Sequence, residues 1–386
     1  MDVFGMKQIS DIQVARSDED RERIFRFRYD VYVTEMGKSP AEADHQKKII
    51  RDELDEDAHL LYAEDEGQIV GTVRLNCRSK KKFPDVWEQR YDIEKFAPSF
   101  GDHISMTSRM MVAKDYRGSS VPAALVGAVY SAGREMGSKF DFCNCAPSLL
   151  EFYEQIGFRR FTDGFVDEDN GYHVPLVMVV RDTQYLRQVR SPLYRVARNF
   201  EHEPETGVWF QETFPSHAGI ANSRTRNTEE FWKQLSDQLA DPPTECIPLF
   251  ESLSDKEVSN FLRSGTVLSL QPGDRIIRQG DVGDEMYIIL SGVAEAVSRK
   301  EEQEHSLAIM SKGQIFGEVA FISTAVRSAD VNALTEMQVL IISKGFLTRA
   351  MRKQPEISAK VLFNLSLILA QRLRDRTDSW VEAMTS

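Results

Sequence analysis

The last part of the chain constrains the fold most, because short β-forming segments recur there between glycines. The segments lie between residues 266 and 343, and the intervening turns contain Gly273, Gly280, Gly283, Gly292 and Gly313. Short strands at such spacing are typical of a small β-barrel or β-roll. Two helical patterns follow, and the second places several apolar residues on roughly one face: Val361, Leu365, Ile368, Leu369 and Leu373. We therefore predict a β-roll with C-terminal helices.

An α/β domain is predicted before this region. Helical and strand patterns alternate from about residue 12 to 182, including a hairpin at 60–63 and 69–75. Pro122 suits the first turn of a helix that reaches Met136, because the missing N–H is not needed there. Helices placed between strands indicate an α/β layer. We predict domains at 1–190 and 244–386, joined by a linker with one short helix at 191–243.

Composition excludes several classes of protein. The chain has 386 residues and a net charge of −12, which argues against a general nucleic-acid binder. No apolar run reaches the ~20 residues that a membrane span requires. The four cysteines suit neither a disulfide framework nor a metal site, so we expect a reducing cytoplasm and no bound metal; they are Cys77, Cys143, Cys145 and Cys246.

One motif in the C-terminal block suggests a ligand site. Residues 316–321 read Phe-Gly-Glu-Val-Ala-Phe, and Arg327-Ser328-Ala329 follows. The glycine and the turn after it expose backbone amides to an anion, and Arg327 adds a guanidinium that suits phosphate. Glu318 can accept a hydrogen bond from a sugar hydroxyl. The alternative is a barrel in which Glu318 and Arg327 merely pair with each other.

This block, over about 249–376, resembles the cyclic nucleotide-binding domain of the bacterial catabolite activator, of protein kinase regulatory subunits and of cyclic nucleotide-gated channels. Gly273, Gly283 and Gly292 match that family's turn glycines. The resemblance implies that cAMP is the ligand, with cGMP the alternative, because serine rather than threonine stands at 328. It implies that Glu318 contacts the ribose 2′-hydroxyl and that the cyclic phosphate meets Gly317, the amide after it, Arg327 and Ser328. Val319 is a further residue of the implied nucleotide site.

The family's transcription factors carry a helix-turn-helix module after this domain, whereas only about ten residues follow Arg376 here. We therefore expect no DNA-reading role, and we expect the domain to regulate what precedes it. The C-terminal helix is a candidate contact for a homodimer.

The N-terminal block resembles GNAT-type acyltransferases in two places. Residues 148–158, Ser-Leu-Leu-Glu-Phe-Tyr-Glu-Gln-Ile-Gly-Phe, resemble that fold's late helix, which implies that Tyr153 protonates the departing thiolate. The alternative is that Tyr153 is a packed aromatic. Residues 111–122 resemble the turn before a helix that holds the phosphates of the acyl donor. The implied donor-binding residues are Val112, Arg117, Gly118, Ser119 and Ser120.

This turn departs from the family's pattern at two positions. GNAT enzymes have glycine or alanine where this chain has Ser120 and Pro122, and proline has no amide to donate. A weaker cradle suits the single phosphate of an acyl carrier protein (ACP) better than the pyrophosphate of coenzyme A. We therefore expect acyl-ACP as donor, with acyl-CoA as the alternative.

A second resemblance is to acyl-homoserine-lactone synthases and long-chain N-acyl amino acid synthases, through short matches in the same order between 12 and 181. It implies a catalytic role for Arg109 and a substrate-binding role for Arg28, Asp52, Asp55 and Arg74. The alternative for each arginine is a structural pair with Asp52 or Asp55. The lactone synthases carry a glutamate where this chain has Met106, so the base that takes the amine proton is unassigned.

Together these features predict a cytoplasmic, cAMP-regulated N-acyltransferase that moves an acyl group from acyl-ACP or acyl-CoA to an amine such as an amino acid. Two alternatives stay open. One is a cAMP-gated protein lysine acetyltransferase that uses acetyl-CoA. The other is a non-catalytic cAMP sensor whose transferase domain only binds a partner.

Overall fold

The computed structural model describes residues 12–117, 119–167, 171–215, 228–239, 241–262, 265–300, 303–323 and 325–385. The chain divides into two compact units. Unit 1 comprises Met1–Cys145 and Phe152–Asn222, and unit 2 comprises Ala146–Glu151 and Ser223–Ser386. No helix within the described ranges is long and apolar enough to cross a membrane.

Unit 1 is built on one mixed sheet. Along the sheet the strands follow the order β1-β2-β3-β4-β5-β8-β6, and β7 pairs with β8. The predicted hairpin is confirmed as the antiparallel pair β2–β3. The strands are β1 (Ile12–Val14), β2 (His59–Asp65), β3 (Gln68–Cys77), β4 (Ile104–Val112), β5 (Phe140–Cys145), β6 (Arg159–Arg160), β7 (Phe165–Asp167) and β8 (Gly171–Val179).

The parallel pair β4–β5 is short, and this shapes the centre of the sheet. The two strands pair only from Ile104 and Phe140 to Met106 and Phe142. Beyond these residues β4 continues beside β3, and β5 continues beside β8. The sheet therefore contains a cleft between the carboxyl-terminal parts of β4 and β5, which we call the strand cleft.

Helices cover both faces of this sheet. Ser17 caps α1 in a capping box with Asp20, and a π-helical turn, Asp30–Glu35, continues it. The helix predicted at Pro122 is confirmed as α4, with the proline in its first turn. The helices are α1 (Asp18–Tyr29), α2 (Asp85–Arg90), α3 (Ile93–Phe100), α4 (Val121–Glu135), α5 (Leu150–Ile156), α6 (Thr183–Gln188), α7 (Tyr194–Ala197) and α8 (Pro204–Thr213).

Aromatic packing extends unit 1 into the segment predicted to be a linker. Phe96 of α3 lies 5.1 Å, between ring centroids, from both Phe140 and Phe214. Phe210 and Phe214 are buried in the same cluster. The first part of 191–243 therefore belongs to the core of unit 1, because α8 supplies aromatic side chains that the sheet needs for burial.

Unit 2 consists of two four-stranded sheets followed by helices. The first sheet has the order β9-β16-β11-β14 and the second β10-β15-β12-β13. All the strands predicted here are present; the sequence missed β14, which has two residues. The strands are β9 (Thr266–Leu270), β10 (Arg275–Ile277), β11 (Glu285–Ser291), β12 (Val293–Lys300), β13 (Gln303–Ser311), β14 (Ile315–Phe316), β15 (Asp330–Ala333) and β16 (Met337–Ser343).

The last helix divides its apolar residues between the core and the surface. Val361 and Leu365 are buried in the core of unit 2, whereas Leu373 is 70% exposed. The apolar residues predicted to lie on one face of this helix are therefore not all buried. The helices of unit 2 are α9 (Thr228–Leu239), α10 (Pro243–Cys246), α11 (Asp255–Phe261), α12 (Glu318–Ser323), α13 (Lys344–Lys353) and α14 (Pro355–Thr385).

Candidate functional site

A cavity of about 640 Å³ lies in unit 2, between β12, β13, α12 and α14. We call it the roll pocket. Its volume is within the range of small-molecule sites. All residues of the predicted nucleotide site line it: Gly317, Glu318, Val319, Arg327 and Ser328.

Gly317 has a conformation that other residues rarely adopt. Its φ is +79°, and a Cβ there would lie 2.8 Å from Arg327 Nη1 and 3.2 Å from the carbonyl oxygen of Glu285. The position therefore requires glycine. Glu318, the next residue, begins α12, and the amides of a helix's first turn have no partner within the helix.

Arg327 is held rigidly at the wall of the roll pocket. The side chain is 4% exposed, and Nη1 donates to the carbonyl oxygens of Glu285 and Gly317, at 2.9 Å each. Nη2 lies 2.8 Å from Glu285 Oε1, and the Tyr287 hydroxyl donates to the same oxygen. The buried Nη2 lies in this ion pair but makes no hydrogen bond of good geometry within the described structure, so the donor capacity of the guanidinium is not fully used.

Glu318 is bound by the last helix. Arg372 Nη1 lies 2.8 Å from Glu318 Oε1, and Arg372 Nη2 donates to the carbonyl oxygen of Ile315 at 2.7 Å. The alternative in which Glu318 and Arg327 merely pair with each other is therefore wrong, because each has a different partner. The carboxylate predicted to accept a ribose hydroxyl also ties α14 to the roll.

Apolar side chains complete the roll pocket. Ile309 of β13 is 66% exposed, and Leu307, Val319 and Leu373 are also exposed. All four line the cavity. One pocket thus combines a fixed cation, a carboxylate and open apolar surface, which are the groups needed to bind a phosphate, a sugar and an aromatic base.

In unit 1, α4 follows β4 in the chain after a short 3-10 turn, Lys114–Tyr116, and its first turns pack against Gly71 of β3. Ser119 Oγ donates to the carbonyl oxygen of Tyr116, and Ser120 Oγ is buried without a hydrogen-bond partner in the described structure. Arg117 donates to the carbonyl oxygen of Val112 and pairs with Glu35. Of the predicted donor-binding residues, Gly118 lies outside the described residues.

A network of ion pairs joins all the predicted substrate-binding residues. Asp55 accepts from Arg28 Nη1 at 2.9 Å and lies 3.1 Å from Arg74 Nη1. Asp52 lies 2.5 Å from Arg74 and 3.0 Å from Arg109. Arg109 also pairs with Glu42, which the sequence did not single out. Three arginines and three carboxylates thus neutralise one another.

Burial decides which members of this network a substrate can reach. Arg28 and Arg74 are each 0% exposed, and Asp55 is buried beside them. Burial lowers the pKa of Arg28 to about 10. Burial also acts to raise the pKa of Asp52, but Arg74 and Arg109 outweigh it and lower that pKa to about 2. Of these five residues, Asp52 and Arg109 keep the most exposed side chains, and the predicted substrate-binding roles stay predictions.

Arg109 has an unusual backbone conformation at the edge of the strand cleft. Its φ is +52°, and the guanidinium lies 5.9 Å from the centre of the Tyr32 ring. A non-glycine residue with positive φ inside a strand is strained, and such strain is common at functional sites.

Tyr153 lies against a small cavity of about 20 Å³ beneath the strand cleft. Its ring packs edge-on against Phe158, with centroids 5.5 Å apart. Burial raises the pKa of its hydroxyl above the usual range, so the group is a proton donor and not a phenolate at neutral pH.

Asp141 of β5 lies on the wall of the same cavity, and the sequence analysis missed it. Ser105 Oγ donates to Oδ1 at 2.8 Å and Thr107 Oγ1 to Oδ2 at 2.7 Å. Burial raises the pKa of this carboxyl to about 6, although both hydroxyls act to lower it. Its signal in the sequence is a lone charge between two phenylalanines in an otherwise uncharged strand.

Comparisons with known proteins bear on both units. Residues 27–127 match the family model described as acetyltransferase (GNAT) domain, and residues 267–354 match the model described as cyclic nucleotide-binding domain. The chain therefore contains a GNAT domain in its N-terminal part and a β-sheet cyclic nucleotide-binding domain with C-terminal helices, which confirms the predicted fold class. The finer resemblance to lactone and N-acyl amino acid synthases stays a prediction.

The chain is also similar to individual proteins. It is 30% identical over 129 residues to the cyclic AMP receptor protein of Thermus thermophilus, covering 33% of this chain and 58% of that protein. It is 35% identical over 106 residues to a cAMP-dependent protein kinase regulatory subunit of Blastocladiella emersonii, covering 27% and 26%. The solved Thermus thermophilus catabolite activator protein aligns at 29% identity and a TM-score of 0.33, covering 36% and 63%. The part of each relative that this chain matches is therefore less than two thirds of the relative's length.

Proposed function

We propose that this protein is an N-acyltransferase whose rate is set by cAMP. The thioester of an acyl donor lies in the strand cleft, and the amine of an acceptor attacks it. The observation that carries the proposal is the presence, in one chain, of a roll pocket with a fixed arginine and of a parallel strand pair that parts after Met106 and Phe142, with α4 following β4 in the chain.

The strand cleft supports the transfer reaction. Past Met106 and Phe142, the backbone edges of β4 and β5 that face each other have no strand partner in the described structure. Their amides are available to an extended donor arm and to the oxyanion that develops on the thioester carbonyl. Tyr153 lines the small cavity, and its hydroxyl carries its proton at neutral pH. It is therefore suited to donate that proton to the leaving thiolate.

The α4 N-terminus supports a phosphate-bearing donor. The free Ser120 Oγ and the positive end of the helix dipole both favour an anion. Pro122 removes one amide from the first turn, and Arg117 is already paired with Glu35. A site with so few free donors suits one phosphate better than two, which favours acyl-ACP over acyl-CoA.

The small cavity favours a second candidate, a protein lysine acetyltransferase that uses acetyl-CoA. A volume of about 20 Å³ holds roughly a water molecule or a methyl group. An acetyl group fits this space without rearrangement, whereas a long acyl chain requires the apolar side chains around Met110 and Met178 to move apart.

The roll pocket supports regulation by cAMP. A ribose that engages Glu318 shares or replaces its pair with Arg372 of α14, so ligand binding changes how the last helix is held. A ligand biases such an equilibrium only through its differential affinity for the two states.

One assay separates these functions. Purified protein is given long-chain acyl-ACP, long-chain acyl-CoA or acetyl-CoA, each with mixed amino acids or a lysine peptide, and thiol release is followed with and without cAMP. The first proposal predicts the fastest turnover with acyl-ACP and amino acids. Faster turnover of acetyl-CoA with the peptide selects the lysine acetyltransferase, and no turnover with any pair leaves a cAMP sensor.

A further inference from the structure

Asp141, whose side chain is partly buried, differs from the carboxylates that are fully buried in the described structure. Each of those forms an ion pair with an arginine: Asp55, Glu154, Asp182, Glu285, Glu318 and Asp330. Asp141 has only the hydroxyls of Ser105 and Thr107. A carboxylate without a counter-cation in a poorly solvated place is costly to keep, so its presence calls for a functional reason.

Among the residues that the structure describes, none that faces Asp141 carries a charge. The titratable groups that face it are Cys77 of β3, Cys143 of β5, Tyr130 of α4 and Tyr153 of α5. All four are neutral at pH 7, because burial raises the pKa of each. On the side of β8, Met178 and Val180 are apolar. Nothing in this environment holds the carboxyl in its ionised form except the two hydroxyls.

The position of Asp141 is the second observation. It pairs with Ser105 in the last stretch where β4 and β5 are joined, one residue before they part. Its side chain lines the cavity beneath the strand cleft together with Thr107 and Tyr153, and it keeps part of its surface accessible. The carboxylate is therefore at the closed end of the cleft in which the proposed function puts the thioester.

We propose that Asp141 is the general base of acyl transfer, held in place by Ser105 and Thr107 as positioning residues. This inference rests on the proposed function. The acceptor nitrogen attacks the acyl carbon, the C–N bond forms, and the nitrogen's proton passes to the Asp141 carboxylate. The C–S bond then breaks, and the thiolate takes up that proton, directly or through the Tyr153 hydroxyl. The carboxylate is regenerated, and no further reactant is needed.

The test compares the pH dependence of transfer in the full-length chain and its variants. For the wild type, kcat/KM should rise as pH increases through about 6, where Asp141 ionises. Any further rise caused by deprotonation of the acceptor amine should come at higher pH and form a separate limb. Asp141→Asn should lower kcat by about 10²–10⁴-fold, leave KM for the donor unchanged and remove the rise through about pH 6. Asp141→Glu should recover part of the rate. Asp102→Asn, an exposed aspartate in the same unit, is the matched control and should behave as wild type.

A second variant keeps the test decisive where Asp141→Asn does not fold, as judged by thermal unfolding. The Thr107 hydroxyl stabilises the ionised carboxylate, so Thr107→Val should move the rise that Asp141 causes to higher pH. Two results would overturn the assignment of Asp141 as the general base and leave the proposed function intact. One is an Asp141→Asn rate within about threefold of wild type. The other is a pH dependence of kcat/KM that Thr107→Val does not shift. Wild-type protein that transfers nothing from any donor overturns the proposed function, and the inference falls with it.

Discussion

At the scale of single residues, the two units use buried charge in opposite ways. Arg327 is surrounded by acceptors that fix its position, and its pair with Glu285 leaves one buried nitrogen without a hydrogen bond. Asp141 is a charge with no partner of opposite sign, and burial moves its pKa towards neutrality. The first arrangement suits binding of an anion, and the second suits exchange of a proton.

The first prediction concerns Arg327. Arg327→Ala in the full-length chain should weaken cAMP binding by about 2–4 kcal/mol, because the cyclic phosphate then lies in the roll pocket without its cation. Calorimetry measures the change. Arg352→Ala, an exposed arginine outside the pocket, should bind cAMP as wild type does. Equal affinities for the two variants would remove Arg327 from the site.

The second prediction concerns stability and Asp141. Its folded-state pKa of about 6 lies above the usual 3.8, so the carboxyl's contribution is favourable below pH 4 and is lost as pH rises through 6. The loss amounts to about 3 kcal/mol at most. Asp141→Asn cannot ionise, so its free energy of unfolding relative to wild type should be higher at pH 7 than at pH 4. Denaturant unfolding at both pH values is the measurement, and an equal difference at the two would contradict the raised pKa.

At the scale of elements, the packing of α4 on the sheet fixes the position of the helix N-terminus to which we assign the donor's phosphate. Gly71 of β3 lets this helix approach, because a Cβ there would lie 2.9 Å from Leu125 and from Val121. Gly127, inside the same helix, has open space where its Cβ would be. Glycine is therefore needed at 71 for close packing of α4 on β3, whereas no neighbouring atom requires it at 127.

The third prediction uses this pair of glycines. Gly127→Ala should stabilise the protein by about 0.5–1 kcal/mol, since alanine has the higher helix propensity and nothing obstructs it. Gly71→Ala should destabilise it by about 1–3 kcal/mol and impair donor binding, because α4 must move away from β3. Unfolding midpoints and donor affinity check both. A destabilised Gly127→Ala, or an unaffected Gly71→Ala, would mean that this contact is described wrongly.

The sequence predicted elements well where its signal was local. Glycine turns marked the strands of the roll, and Pro122 marked the start of α4. All five residues predicted for the nucleotide site line the roll pocket, and they could be predicted because they are close together in the chain. The sequence did not predict the partners of those residues: Glu285 and Arg372 are far from Arg327 and Glu318 in sequence, and only folding brings them together.

Asp141 illustrates the same limit in unit 1. The role that we propose for Asp141 depends on two hydroxyls from β4 and on the point at which β4 and β5 separate. Neither can be read from a lone aspartate between phenylalanines. The arginines of the ion-pair network were recognised as important, but the sequence could not tell that Arg28 and Arg74 would be wholly buried while Arg109 is not.

At the scale of the whole molecule, regulation by cAMP requires free-energy coupling between cAMP binding in unit 2 and acyl transfer in unit 1. Coupling between two sites is typically 1–3 kcal/mol, or about 5–150-fold, and for binding it is reciprocal. The fourth prediction is that a saturating acyl donor changes cAMP affinity by the same factor by which cAMP changes donor affinity. Superimposed cAMP titrations with and without donor would mean that the two units bind independently.

The most direct test of the central claim is the initial rate of thioester turnover by the full-length chain as a function of cAMP concentration. If cAMP regulates the transferase, the rate should change about 5–150-fold along a saturable curve. This hypothesis makes a second prediction. It also predicts that Arg327→Ala moves the midpoint of that curve to cAMP concentrations about 30–1,000-fold higher. A turnover rate that is the same at every cAMP concentration would contradict regulation of the transferase by the roll pocket.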